Sequence, residues 1–320
     1  MAFQRVGILS IGEMGFHWAR LLRSHGVEVL TCARGRSEVT RKRAENAGAR
    51  SVPSLTHLVS ESNLLVSLVV PSAARSVAFK VAKALGKVGR SGFLYLDANA
   101  ISPMTAREIG KIMMPARAKF VDGCLIGSAA RLDRGTVLYV SGPRAEEIQA
   151  LERFGFSVKL VGGEIGQASA FKVVYAGLTK GLQGLFVELL VGARKFGLLE
   201  EISRRYEESF PGLLSRVGES IVGLQQHAGR RAEEMAELSR TYRNYGLKAV
   251  MAPATQKLLK AIAALKVGQA SEKGERKGEL VETLELFFQH GLLQDENERN
   301  RVADNGEEGE SICPRDQRPE

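Results

Sequence analysis

The chain has little that would staple it or anchor it. Three cysteines, Cys32, Cys124 and Cys313, are odd in number and far apart, so neither a disulfide framework nor a zinc cluster is expected. The five histidines show no metal-ligand spacing, and chemistry without a metal follows as the expectation. Tryptophan occurs once and aromatic residues make up 6% of the chain. They fall mostly in apolar periodic segments, with no stacking stripe interleaved among the arginines, so nucleic acid is not expected as a partner. No run approaches the roughly 18 uninterrupted apolar residues of a membrane span, and the N-terminus enters a strand-like segment without a signal-peptide pattern. The expectation is a cytoplasmic protein with no membrane partner.

What is present suits a folded protein of two parts. A length of 320 residues exceeds one ordinary core, which predicts two domains or one domain with a helical extension. Hydrophobic content of 44% and charged content of 25% exclude wholesale disorder. The net charge of +9 is unevenly spread: residues 294–320 hold nine acids against four arginines, and removing that −5 leaves the remainder at +14. An excess of this size favours anionic partners, whether nucleic acid, a phosphorylated cofactor or a carboxylate substrate. Composition alone does not choose among them.

Periodicity divides the chain. The run RVGILSI, Arg5 to Ile11, has no polar face and reads as a strand buried on both sides. Gly12, Glu13, Met14 and Gly15 follow, then Trp18, Leu21 and Leu22 recur at helical spacing until Gly26, and VEVLTCA from Val27 begins a second strand. The alternation continues through Asn63 to Val70, a helix over Val77 to Leu85, Gly92 to Leu96, Ala118 to Asp122 and Thr136 to Ser141. Strands separated by helices predict parallel pairing, hence an α/β fold with an N-terminal doubly wound (Rossmann) parallel sheet over residues 1–165.

From Gly166 one long helix runs to Gly197, followed by apolar-periodic segments at Glu200 to Phe210, Leu213 to Leu224, Ala232 to Tyr245 and Pro253 to Leu265. Residues 166–268 therefore read as an all-helical domain. Residues 269–320 read as a charged extension with a short amphipathic piece at Leu284 to Leu293, and 294–320 are expected to be disordered. The run Arg230, Arg231, Glu233, Glu234 reads better as a solvated helix face with intrahelical ion pairs than as the wall of a cleft.

The turn Ser10-Ile11-Gly12-Glu13-Met14-Gly15 lies between strand and amphipathic helix, the setting of a pyrophosphate-binding turn. The first glycine of that pattern is Ser10 here, acceptable if its backbone avoids positive φ, and its hydroxyl can face a phosphate. Where NAD-specific chains carry an acid at the end of the second strand, this one reads Arg34, Gly35, Arg36, Ser37. Two arginines and a serine suit a 2′-phosphate, so NADP (NADPH) is the expected cofactor and NAD the lesser alternative.

The chain resembles the β-hydroxyacid dehydrogenase superfamily, which includes 6-phosphogluconate, 3-hydroxyisobutyrate and tartronate semialdehyde dehydrogenases. The segments that carry the likeness are VGILSIGEMG from Val6, VVP from Val69, LDANAISP from Leu96, VDGCLIG from Val121 and GEIGQASAFK from Gly163. KVVYAGLTKG from Lys172 is similar to a less characterised phosphogluconate-dehydrogenase-like branch. The resemblance implies a NAD(P)-dependent dehydrogenase or reductase acting on CH–OH, with Lys172 as general acid and base on the substrate hydroxyl. It also implies cofactor contacts at Ser10, Gly12, Glu13, Met14, Gly15, Val70, Pro71 and Asn99.

The family's asparagine four residues beyond the lysine is Ala176 here, which leaves Thr179, two turns on, as a substitute, and Lys180 as a possible carboxylate or phosphate clamp. The family's serine in the substrate loop falls at Ile126, leaving the amides of Gly127 and Ser128 for a substrate carboxylate. A small-molecule substrate and a homodimer are implied, the latter suiting the glycines at 177, 181 and 184. The alternatives are an imine or ketone reductase of the same fold and a non-catalytic NADP- or nucleic-acid-binding protein.

Overall fold

The computed structural model describes residues 3–265 and 276–294, so the expectation for 295–320 lies outside the described residues. They form two compact units: Met1–Tyr175 with Arg240–Leu247, and Ala176–Ser239 with the described residues from Lys248 onward.

The first unit is built on an eight-stranded sheet. In chain order it comprises β1 (Arg5–Leu9), α1 (Glu13–Ser24), β2 (Glu28–Thr31), α2 (Glu38–Asn46), β3 (Arg50–Ser51), α3 (Leu55–Glu61), β4 (Leu64–Ser67) and α4 (Pro71–Val88). Then follow β5 (Leu94–Asp97), α5 (Pro103–Met113), β6 (Lys119–Ile126), β7 (Val137–Ser141) and β8 (Ser157–Gly162). The strand order is β3-β2-β1-β4-β5-β6-β7-β8, a doubly wound arrangement as expected. The sheet separates two cores. On one face Trp18 and Leu22 of α1 and Ala44 of α2 pack on Val6, Ile8 and Val29. On the other, Ala74, Ala78 and Val81 of α4 and Ile109 of α5 pack on Leu65 and Tyr95. Trp18 is wholly buried, with its ring 4.5 Å from that of Phe156, a contact that holds α1 on the sheet.

Two features differ from the sequence reading. All neighbours from β3 to β6 pair in parallel, but β7 runs antiparallel to β6. Residues 127–136 explain it: a parallel crossover needs roughly a dozen residues or more, usually a helix, and this connection is shorter. Two strands also went unrecognised. Strand β3 is two exposed residues, and β8 is an edge strand whose Lys159 and exposed Leu160 break the apolar alternation.

Strands β4 and β5 end at Ser67 and Asp97, in register with Asp122 of β6, but β6 continues through Gly123, Cys124, Leu125 and Ile126, paired with β7. The β6–β7 ribbon thus overhangs the carboxyl edge of its neighbours by four residues, about 13 Å at strand rise.

Helix α6 (Gln167–Lys195) follows, then α7 (Leu199–Ser209), α8 (Leu213–Ile221), α9 (Leu224–Asn244), α10 (Met251–Ala264) and α11 (Arg276–Gln289). No strand occurs among the described residues beyond Gly162, in line with the all-helical expectation. Helix α9 begins eight residues before the expected Ala232, because Gln225, Gln226 and His227 hide its periodicity. Two glycines of α6 serve contacts inside the chain: a Cβ on Gly177 would lie 2.6 Å from Leu238 of α9 and one on Gly184 3.1 Å from Thr255 of α10, whereas one on Gly181 or Gly192 would meet nothing within 4 Å. Helix α6 is also long and apolar enough to cross a membrane by length and composition alone, with 28% of its most apolar stretch buried. Tyr175, Leu178, Leu185 and Leu189 are exposed along it.

Candidate functional site

The carboxyl edge of the sheet gathers most of the residues singled out from the sequence. At the turn from β1 to α1, Ser10 has φ +75°, not the negative value that its side chain was expected to require. Its carbonyl sets the reason for the following glycine: a Cβ on Gly15 would lie 2.2 Å from Ser10 O. Gly12 precedes α1, and no side chain caps that helix. Helix α4 likewise opens uncapped, at Val70 and Pro71. By contrast α2, α3 and α5 are capped by the hydroxyls of Ser37, Ser54 and Ser102. The two bare N-termini follow β1 and β4, which are adjacent in the sheet while α1 and α4 pack on opposite faces. That is the switch point of a doubly wound sheet, and amides with a positive dipole end meet there.

After β2, Arg34 and Arg36 are exposed about Gly35, whose φ is +73°. Ser37 lies beside them, but its hydroxyl accepts the Thr40 amide at 3.3 Å and so is engaged in capping.

Four polar residues lie level on four neighbouring strands: Ser67, Asp97, Asp122 and Ser141, all wholly buried. Asp122 accepts from Ser141 Oγ (3.1 Å), Gly166 N (3.1 Å), Ser169 N (3.0 Å) and Ser169 Oγ (2.6 Å). Burial pushes its pKa up, and these donors, Ser169 foremost, oppose that. Asp97 Oδ1 accepts one bond, from the Asn99 amide at 3.0 Å, while its Oδ2 is buried without a hydrogen-bond partner. Burial drives the Asp97 carboxyl up to about 7; the Asn99 amide opposes the rise and the charge of Asp122 adds to it. The Asn99 side chain is buried and donates to Ser67 Oγ at 3.0 Å. Neither aspartate was assigned a role from the sequence. The available signal was an acid closing an apolar run twice, in LYLD and in FVD.

Above this row stands Lys172. It is half-buried on α6, and its Nζ donates to the Leu125 carbonyl on β6 at 3.2 Å. Its apolar neighbours do not enclose it as the sequence suggested: Val173 is buried, but Phe171, Val174 and Tyr175 are exposed. The enclosure comes from β6 instead. Cys124 lies beneath, its thiol pushed up to about 12 by burial, with the charge of Lys172 working the other way. Past β6, Gly127 has φ +130° and passes so close to Thr136 that a Cβ would lie 2.2 Å from Thr136 Oγ1. That hydroxyl donates to Ser128 O at 2.7 Å and fixes the turn.

Thr179 and Lys180 belong to the second unit. Thr179 donates to its own helix at Ala176 O, 3.0 Å away. Lys180 pairs with Glu234 at 2.8 Å, and Arg230 reaches the same carboxylate at 2.8 Å. The run at 230–234 is therefore not simply a solvated face: Arg231 turns in to donate to Ser220 O at 3.0 Å, and burial lowers its pKa.

Comparison with known proteins gives two family matches. Residues 5–157 match the NAD binding domain of 6-phosphogluconate dehydrogenase, and residues 193–262 match a domain of unknown function, DUF1932. An uncharacterized 28.5 kDa protein from the 7S RNA 5′ region of Methanothermus fervidus is 32% identical over 81% of this chain and 98% of its own length. A solved structure of a conserved protein of unknown function, described as structurally similar to 3-hydroxyacid dehydrogenases, is 30% identical. It superposes with a TM-score of 0.71 and covers 81% of this chain and 96% of that one. A probable mitochondrial 3-hydroxyisobutyrate dehydrogenase of Dictyostelium discoideum is 24% identical over 52% of this chain, which spans 53% of that relative's length.

The left-handed backbone at Ser10 costs a non-glycine residue on the order of 1 kcal/mol. Ser10→Gly is expected to leave stability unchanged or raise it by up to about 1 kcal/mol, since the relief exceeds the extra chain entropy of glycine. Gly15→Ala, which drives a methyl into Ser10 O, is expected to destabilise. Urea midpoints of the two variants check this, and a destabilised Ser10→Gly would show that the hydroxyl, not the backbone, matters there.

Proposed function

Because the chain belongs to the β-hydroxyacid dehydrogenase superfamily and carries its nicotinamide-dinucleotide-binding domain, we propose that it is an NADP-dependent oxidoreductase. It transfers hydride between the nicotinamide and the hydroxyl or carbonyl carbon of a small carboxylate-bearing metabolite, with Lys172 as general acid and base. The observation that carries this reading is the placement of Lys172 Nζ on Leu125 O. That carbonyl stands on the same sheet edge, within one unit, as the bare N-termini of α1 and α4 and the Asn99 segment.

The residues present fit a dinucleotide. The space beside Gly12 contains only Ser10 Oγ within 4 Å of where a Cβ would be, and the uncapped first turns of α1 and α4 supply amides for a pyrophosphate. Arg34 and Arg36 are exposed just after β2, and two guanidinium groups there suit a 2′-phosphate, which supports reading the cofactor as NADP and not NAD. When bound, NADP supplies or accepts the hydride.

Lys172 does the proton work. In oxidation its neutral amine takes the hydroxyl proton as hydride leaves the same carbon, and in reduction its ammonium returns that proton to the developing alkoxide. The Leu125 carbonyl orients Nζ in either state. Amides of Gly127 and Ser128 meet the substrate carboxylate. In the second unit Lys180 is paired with Glu234 and Thr179 with its own helix, so an anion at either would have to displace that partner. A second copy of the chain covers the exposed Tyr175, Leu178, Leu185 and Leu189 of α6, making a homodimer.

Three outcomes are expected. Lys172→Ala lowers turnover about 100- to 10,000-fold while NADPH binding, followed by fluorescence titration, persists; loss of binding instead would make the lysine structural. Paired Arg34→Ala and Arg36→Ala weakens NADPH by roughly tenfold or more and NADH little, and equal effects remove the cofactor assignment. Leu178→Asp with Leu185→Asp yields monomers by sedimentation, and an unchanged mass places the subunit contact elsewhere.

A further inference from the structure

We propose that Asp97 and Asp122 carry one negative charge between them and that its location holds Lys172 in position. Asp122 is the carboxylate that grips the start of α6, and Asp97, one strand away, is its protonated neighbour. The positioning role rests on the reading of Lys172 given above.

The register sets the problem. Asp97 and Asp122 are directly paired residues on parallel strands, both wholly buried. Two ionised carboxylates side by side in a dry sheet are costly, so one holds a proton. Hydrogen-bond donors decide which. Asp122 accepts four bonds from Ser141, Gly166 and Ser169, each favouring its ionised form. Asp97 accepts one, and its second oxygen has no partner. The charge therefore sits on Asp122 and the proton on Asp97.

The donors to Asp122 also give that charge a mechanical role. Gly166 N and Ser169 N are backbone amides at the opening of α6, groups that need partners from outside the helix. Ser141 of β7 accepts a third, from Ala168 at 2.9 Å. Side chains of the sheet thus do for α6 what a capping residue does locally, and the negative charge faces the positive end of the helix. Lys172 lies three residues beyond Ser169, nearly one turn on. Its Nζ is tied to Leu125 O, on the same strand as Asp122. One strand therefore grips the first turn at Asp122 and the lysine at Leu125.

The other ionisable groups around the pair are Tyr95 on β5, Cys124 on β6 and Lys172 on α6. Burial, with the charge of Asp97 adding to it, pushes Tyr95 well above its ordinary value, and burial pushes Cys124 to about 12. Neither ionises near neutrality, whereas Asp97 does, at about 7. The sign follows. The folded chain holds the Asp97 proton more tightly than the unfolded chain, whose carboxyl titrates near about 4. The stability this gives is full below about pH 4 and is lost as pH rises through about 7. Above that, a second charge beside Asp122 loosens its hold on α6.

The test uses the full chain with Asp97→Asn, which mimics the protonated side chain, and Asp122→Asn. Urea midpoints between about pH 5 and pH 8 should fall for the wild type and stay flatter for Asp97→Asn, whose turnover at about pH 6 matches the wild type. An equal fall in both overturns the division of charge. Asp122→Asn should lower kcat at least about tenfold with NADPH binding kept, and wild-type kcat overturns the positioning role. If that variant does not fold, Ser169→Ala, which removes one donor, is read instead: kcat should fall several-fold with NADPH affinity unchanged, and unchanged kcat has the same overturning force. Should Lys172→Ala retain turnover, the catalytic reading fails while the urea series still judges the shared charge on its own.

Discussion

A carboxylate buried in a sheet must find donors, and three of the four that Asp122 has are the opening amides and first-turn hydroxyl of α6. This exchange satisfies two sets of groups that would each be costly alone: a dry anion and the unpaired N–H groups of a helix start. It also fixes where α6 leaves the sheet. Everything assigned to Lys172 depends on that departure point, because a lysine side chain is flexible and acquires a defined position only from what its helix and its Nζ are tied to.

The same logic runs in reverse at α1 and α4. Among the helices that pack on the sheet, α2, α3 and α5 are each capped by a serine. The two N-termini at the reversal of strand order are left bare, with glycine before one and valine then proline opening the other. Helices α7, α8 and α10 also start without a side-chain cap, so it is the position of α1 and α4 at the reversal of strand order, and not the missing cap alone, that suits an anion.

Much of the sheet was legible because both faces are covered and its strands are therefore apolar runs with sharp ends. The two unrecognised strands are those to which this does not apply: β3 is too short to show a period and β8 is an edge. The reversal of β7 was hidden because strand direction depends on connection length rather than strand composition. At the site, the turn at 10–15 could be located from its place between strand and helix, but the left-handed backbone of Ser10 could not, since serine gives no such signal. The roles of Asp97 and Asp122 were invisible for a related reason. A carboxylate's state depends on what stands beside it, and those partners lie 44 or more residues away along the chain for Gly166 and Ser169. The glycines of α6 show the limit of pattern alone: their spacing announces close packing without saying that α9 and α10 supply it.

The β6–β7 overhang makes a parapet along the carboxyl edge of the sheet, with Leu125 three residues above the level of Asp122. Its height can change only in pairs of residues: losing one would turn Cys124 and its successors to the opposite face, whereas losing two would keep the facing pattern and bring the lysine anchor closer to the floor. A chain built on this plan can therefore set the height of the carbonyl that holds Lys172 by discrete steps, without touching the parallel part of the sheet.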